Sequence, residues 1–205
     1  MNGFVLPALA GLLTGAALFI AIGPQNIFVL QQGVRRAHVV PVIVVCALSD
    51  VVLITAGVAG LGALVSAHPT AVAAAKIVGG LYVIVLGLMA ARRCLGSKEA
   101  LVGTNEGSVP SRWMAIGTAF ALTWLNPHVY LDTVLTMGAI ANGHGAGKWA
   151  FAIGACCASI VWFSLLGGGG HRMAPLFAKP SAWRILDGVV AVIMIGMGGA
   201  LLFSA

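Results

Sequence analysis

Two acidic residues stand where acids are costly. Asp50 lies near the middle of one long apolar stretch, in Cys-Ala-Leu-Ser-Asp-Val-Val-Leu. Asp132 lies in the inner part of another, in Val-Tyr-Leu-Asp-Thr-Val-Leu. An Asp at the centre of a bilayer-crossing helix costs ~2.5–3.5 kcal/mol on insertion scales, so such residues face the bundle interior and serve a substrate, an ion or a proton. The plainer alternative is a protonated acid held by a neighbour such as Ser49 or Thr133. No Lys or Arg lies deep in any apolar stretch, so neither acid has an obvious counter-ion there. The missing positive charge would then come from a cationic substrate, a coupling ion or a proton.

Polar groups gather at two backbone breaks. Gly23-Pro24 interrupts the first apolar stretch and Asn126-Pro127 the fourth. Gln25 and Asn26 follow the first proline, and His128 follows the second. A proline inside a helix removes one hydrogen bond and clashes with the preceding turn, at ~3 kcal/mol or more. In lipid the freed carbonyls are tolerated only when buried in protein or lining a wet cavity. Amides both donate and accept. A helix restarting after a break points N–H groups at it, which suits an anion. His128 adds a group that titrates near neutral pH, unless it is an ordinary interior histidine. A ligand with a carboxylate and an amine matches these features. The candidate binding and coupling residues are therefore Asp50, Asp132, Gln25, Asn26, Asn126 and His128, with Gly23, Pro24 and Pro127 as hinge positions.

The elements that position them are membrane spans. Apolar residues make up 60% of the chain and charged residues 8%, with mean hydropathy +1.04. A soluble domain carries roughly 25% charged residues. The composition predicts an all-α integral membrane protein of about six helices, each reaching the ~20 apolar residues that cross a bilayer. The spans are expected near 4–33, 39–65, 70–91, 113–140, 148–166 and 183–203, with loops between them, including 141–147 and 167–179. The chain reads as one transmembrane domain over residues 1–205. Repeat 1 covers about 4–91, a polar cytoplasmic loop about 92–112, and repeat 2 about 113–205. The N-terminal stretch has no basic lead and no small-residue cleavage site, so it reads as a retained span.

Nine Lys and Arg fall in or beside the odd-numbered loops and two on the other side, which places the odd loops in the cytoplasm and both termini outside. The two halves look duplicated. The prolines are 103 residues apart, and Cys46-Ala-Leu-Ser49 matches Cys156-Cys-Ala-Ser159 at 110. Three spans per half is odd, so the halves insert with opposite orientation. That is the 3+3 inverted-repeat plan, with a midplane site at broken helices.

Other features carry less. The net charge of +6 sits in short loops and is a topology signal, not a nucleic-acid face. Cys46, Cys156 and Cys157 lie within apolar stretches and Cys94 at the end of one, where they behave as small hydrophobes. Asp187, three residues after Arg184, reads as a surface pair. Gly167 to Gly170 lacks the context of a phosphate loop. Gly11, Gly15, Gly57, Gly196 and Gly199 read as close-approach positions between helices. No nucleophile–base pair, metal signature or nucleotide motif is visible, so an enzyme is not expected, nor a bound metal or other cofactor. A small bundle of this kind is of a size that pairs as a homodimer.

Gly23-Pro-Gln-Asn-Ile-Phe-Val-Leu-Gln-Gln-Gly33, then Arg35-Arg36-Ala-His38 and Cys46-Ala-Leu-Ser-Asp50, resemble the first motifs of the LysE superfamily of amino-acid exporters. Leu125-Asn-Pro-His-Val-Tyr-Leu-Asp-Thr133 resembles its second, and Trp183-Arg184-Ile-Leu-Asp187 extends the likeness over nearly the whole chain. Asn26 and the His128 to Thr133 run look like the basic amino-acid branch. The resemblance implies secondary-active export of L-lysine or L-arginine across a bacterial inner membrane, as an antiporter driven by the proton-motive force. Its partners would be a basic amino acid, protons and the lipid bilayer. The alternatives are export of another amino acid or of a metal cation. The segment Gly167 to Arg172 departs from the shorter Gly-Ala-Arg-like segment of many relatives.

Overall fold

The computed structural model describes residues 2–20, 23–61, 69–95, 111–173 and 180–203. Every element among them is helical. In chain order they are α1 (Asn2–Phe19), α2 (Pro24–Arg35), α3 (Val39–Ala56), α4 (Pro69–Leu95), α5 (Arg112–Trp124), α6 (Pro127–Tyr130), α7 (Met137–Gly143), α8 (Lys148–Met173) and α9 (Pro180–Phe203). Two wider π-helical turns extend this set. Gly57–Leu61 continues α3, and Leu131–Thr136 joins α6 to α7.

The distribution of residue types is inverted relative to a soluble protein. Val40, Val44, Leu48 and Val52 form an exposed apolar stripe on α3 at four-residue spacing, while Ser49 and Asp50 on the same helix are buried. α8 does the same, exposing Ile153, Ile160 and Leu165 and burying Ser159. An apolar exterior around a polar interior suits lipid as the solvent. Two described helices are long and apolar enough to cross a membrane, Val39–Leu61 and Gly145–Arg172. Gly3–Phe19 and Pro24–Arg35, bent by 81°, make a third if counted as one span.

Packing joins α1 with α8, α3 with α5, and α4 with α9, and α2 also lies against α8. Small residues allow the close approaches. A Cβ at Gly11 would run into the Phe151 carbonyl, and one at Gly15 would come within 2.9 Å of the Ala158 Cβ. Gly196 and Gly199, expected to do the same, face open space, and Gly80, Gly87 and Gly198 make the α4–α9 contact instead.

Three boundaries differ from the sequence reading. α8 runs to Met173, straight through the four-glycine segment expected to be a loop. The reason is tertiary. Gly167 and Gly170 lie against Gly33 of α2 so closely that a side chain at Gly33 would strike the Gly167 carbonyl, and a Cβ at Gly170 would come within 3.0 Å of Gly33. That packing outweighs the ~1 kcal/mol helix cost of each glycine. The fourth apolar stretch carries its helix to Gly143 and enters α8 through one tight turn, Gly145–Gly147, not through a linker over 141–147. Helix α4 takes in Arg92 to Leu95, which the sequence places in the polar loop, while 96–110 lie outside the described residues. The end of the second span beyond Leu61 and the link at 66–68 also lie outside them, as does Lys179.

Asp187 is a further correction. The expected location at the surface does not hold: Asp187 is buried on α9, because that stretch of α9 packs against α4.

Candidate functional site

Both breaks are capped in the same way. α1 stops at Phe19, whose carbonyl has lost its helical donor. The Asn26 Nδ2 of α2 donates to that oxygen at 2.8 Å. α5 stops at Trp124, and the Tyr130 hydroxyl donates to the Trp124 carbonyl at 2.8 Å. In each case a side chain just past the proline satisfies the last carbonyl before it. Interior backbone without water requires this. Asn26 is held in turn by the Trp162 indole, which donates to its Oδ1 at 3.2 Å. Trp124 stacks on Phe120 and donates to the Ser49 hydroxyl at 3.0 Å.

The two helix starts differ. Gly23 precedes α2 in an extended conformation and has no side chain to cap it. Asn126 precedes α6 and its Oδ1 accepts from the His128 N–H at 3.1 Å. Beyond α6 the chain widens into the π turn that carries Asp132. The Thr133 and Thr136 hydroxyls donate to the Val129 and Leu131 carbonyls there, at 2.6 and 2.8 Å.

The breaks meet at one cavity of about 140 Å³. Gly23, Pro24, Gln25 and Asn26 line it from the first break. Asn126, His128 and Asp132 line it from the second, and Asp50 reaches it from α3. Pro127 is buried beside it without lining it. Phe19 and Phe163 supply apolar walls. The nine candidate positions thus converge, eight of them on the cavity wall.

The partners of the two acids correct the sequence reading. Asp132 does have a counter-ion within the bundle. His128 Nδ1 lies 2.9 Å from its Oδ2, since residues four apart share a helix face. That pair is charged on both sides only when the imidazole is protonated. Asp50 is 2% exposed and takes its hydrogen bond from neither Ser49 nor Thr133. The Ser159 hydroxyl of α8 donates to its Oδ2 at 2.6 Å. Ser159 was visible in the sequence only as the repeat partner of Ser49. Trp162 and Phe163 carried no signal, and Tyr130 stood out only as part of the His128 to Thr133 run. Gln25 is buried with its Nε2 lacking an acceptor among the described residues, beside the Cys46 thiol. The arrangement offers a carboxylate-lined end, an imidazole and a spare amide donor in one partly open cavity.

The LysE type translocator family model matches residues 16–205. The chain belongs to this family. It is 35% identical to lysine exporter LysE of Corynebacterium diphtheriae, over 93% of this chain and 96% of that one. It is 39% identical to arginine exporter protein ArgO of Pectobacterium carotovorum, over 92% and 93%. It is 44% identical, over 92% of each, to a Mycobacterium bovis protein named "Putative amino-acid transporter". No solved structure matches significantly. Family and apolar helices together make this a multi-pass membrane protein of a transporter family, not an enzyme family.

Proposed function

We propose that this protein is a secondary-active exporter of basic L-amino acids, L-lysine or L-arginine, out of a bacterial cytoplasm, driven by the proton-motive force. The observation that carries the reading is the convergence of both helix breaks and both intramembrane acids on one cavity. The substrate's cationic side chain meets Asp132. Its α-carboxylate meets the start of α2, where Gly23 leaves the helix end without a side-chain cap and Gln25 holds a spare amide donor. The lysine and arginine exporters among its relatives support the same substrate class.

The architecture proposed with it is six spans as a 3+3 inverted repeat in the inner membrane, forming a single domain with both termini periplasmic. Its support is the pairing of helices. α1 with α8, α3 with α5 and α4 with α9 each join one helix from either half. The cavity is smaller than the ~300–1,000 Å³ of a typical ligand pocket. It therefore suits a state of alternating access from which the helices must part further to admit an amino acid.

The test is efflux of labelled arginine and labelled lysine from dipeptide-loaded cells, with and without the gene. Faster efflux from cells carrying the protein is expected. Efflux of both amino acids that is unchanged by the gene would sink the assignment.

A further inference from the structure

We propose that His128 is the proton-carrying counter-ion of Asp132, and that the substrate's cationic group displaces that proton, one positive charge for another. This deepens the exporter reading and rests on it.

The geometry separates the two acids. The His128 and Asp132 side chains are 36% and 28% exposed and line the cavity as a pair. Asp50 is 2% exposed, and its hydrogen-bond partner, Ser159, is a neutral hydroxyl. A substrate cation can therefore replace an existing cation only at Asp132. The groups facing the pair across the cavity are Leu18 and Phe19 of α1, Gln25 and Asn26 of α2, Asp50 of α3, Phe163 of α8 and Met197 of α9. Asp50 is the one other ionisable group among these, and no Lys or Arg lines the cavity among the described residues.

With His128 protonated and Asp132 ionised, the pair is neutral. An ammonium or guanidinium arriving at Asp132 meets a like charge beside it in a partly buried site, which is costly. Loss of one proton removes that conflict. The N–H bond on the ring nitrogen that does not face Asp132 breaks, its electron pair stays on nitrogen, and the proton passes to solvent on the open side. The nitrogen facing Asp132 keeps its hydrogen and its contact. The pair plus substrate cation is then neutral again. Imidazole is the side chain whose charge changes near neutral pH, so this exchange is accessible under cellular conditions.

The experiment is arginine binding to the purified full-length protein in weakly buffered detergent with a pH indicator. The wild type is expected to release about one proton per arginine bound, with affinity rising up to ~10-fold per pH unit where His128 is protonated. His128→Gln should bind with an affinity flat in pH and release no proton. Its arginine–arginine exchange in vesicles should be slower but measurable, and no longer accelerated by a pH gradient. Asp50→Asn should still release about one proton per arginine it binds, whatever its affinity. Wild-type binding without proton release would overturn the proposal, and needs no variant to fold. Release that survives in His128→Gln, or that disappears in Asp50→Asn while persisting in His128→Gln, would also overturn it and move the proton to another group. A wild type that binds neither arginine nor lysine would bring down the exporter reading itself, and this inference with it.

Discussion

The two helix breaks are built alike and equipped differently. Each places a proline at the first position of the restarting helix, and each closes the freed carbonyl with a side chain from that helix, Asn26 at one and Tyr130 at the other. The first break is otherwise uncharged. It restarts as a plain helix of 12 residues behind a glycine. The second is capped by its own Asn126, proceeds for a single turn and widens into a π segment bearing an ion pair. The shared features repair the backbone, and any interior break needs them. The unshared features distinguish the chemistry. A frame of amide and backbone donors faces a frame of imidazole and carboxylate. In the proposed transport cycle the first holds a carboxylate and the second a cation.

This contrast can be broken by substitution. The largest effect is expected at the charged break. Asp132→Asn should lower arginine transport in proteoliposomes on the order of 10- to 100-fold in kcat/KM, since the pair is only partly buried and a hydrogen bond to a charged group is worth about 1.5–3 kcal/mol. Near-normal transport would mean that the second break does not carry the cation. Next come the two repairs. Asn26→Ala leaves the Phe19 carbonyl and the Trp162 indole unmatched and should cost about 1–3 kcal/mol in detergent unfolding, whereas Tyr130→Phe removes one neutral bond worth about 0.5–1.5 kcal/mol. Equal losses would show that the two caps are equivalent. The helix starts give the last contrast, and it ends in the smallest effect. Asn126→Ala should cost ~0.5–2 kcal/mol as a lost N-cap. A Cβ at Gly23 meets nothing within 4 Å and its backbone is extended, so the weaker N-cap of Gly23→Ala is offset by the lower entropy of the unfolded chain and stability should change by under about 0.5 kcal/mol. A larger loss at Gly23 than at Asn126 would reverse the asymmetry.

Much of the site was legible because it is local. Proline after glycine or asparagine marks a break wherever it falls in an apolar stretch, and an acid in such a stretch stands out by its transfer cost alone. His128 and Asp132 are four residues apart, so their pairing was within reach of helix geometry. It is less visible than a Lys or Arg pair because an imidazole is a cation only when protonated. The π turn at Leu131–Thr136 was not legible, since its hydroxyl-to-carbonyl bonds use residues that are equally at home in an α-helix. The glycine segment of α8 misled for the opposite reason. Its intrinsic preference is against helix, and contact with Gly33 overrides it. Gly60 went unread as well. Its φ of 109° places it in the region that favours glycine, inside the turn that extends α3.

The sequence by itself determined which stretches are apolar, where the helices must break and which polar groups are stranded among them, because those follow from transfer free energies and backbone valence along a few residues. Only the tertiary structure decided which stranded group meets which. Ser159 reaches Asp50 across 109 positions, Trp162 reaches Asn26 across 136, and both breaks open onto one cavity. Those partnerships depend on how the helices of the two halves cross and how closely their small residues let them approach, which is a property of the packed bundle and of no segment within it.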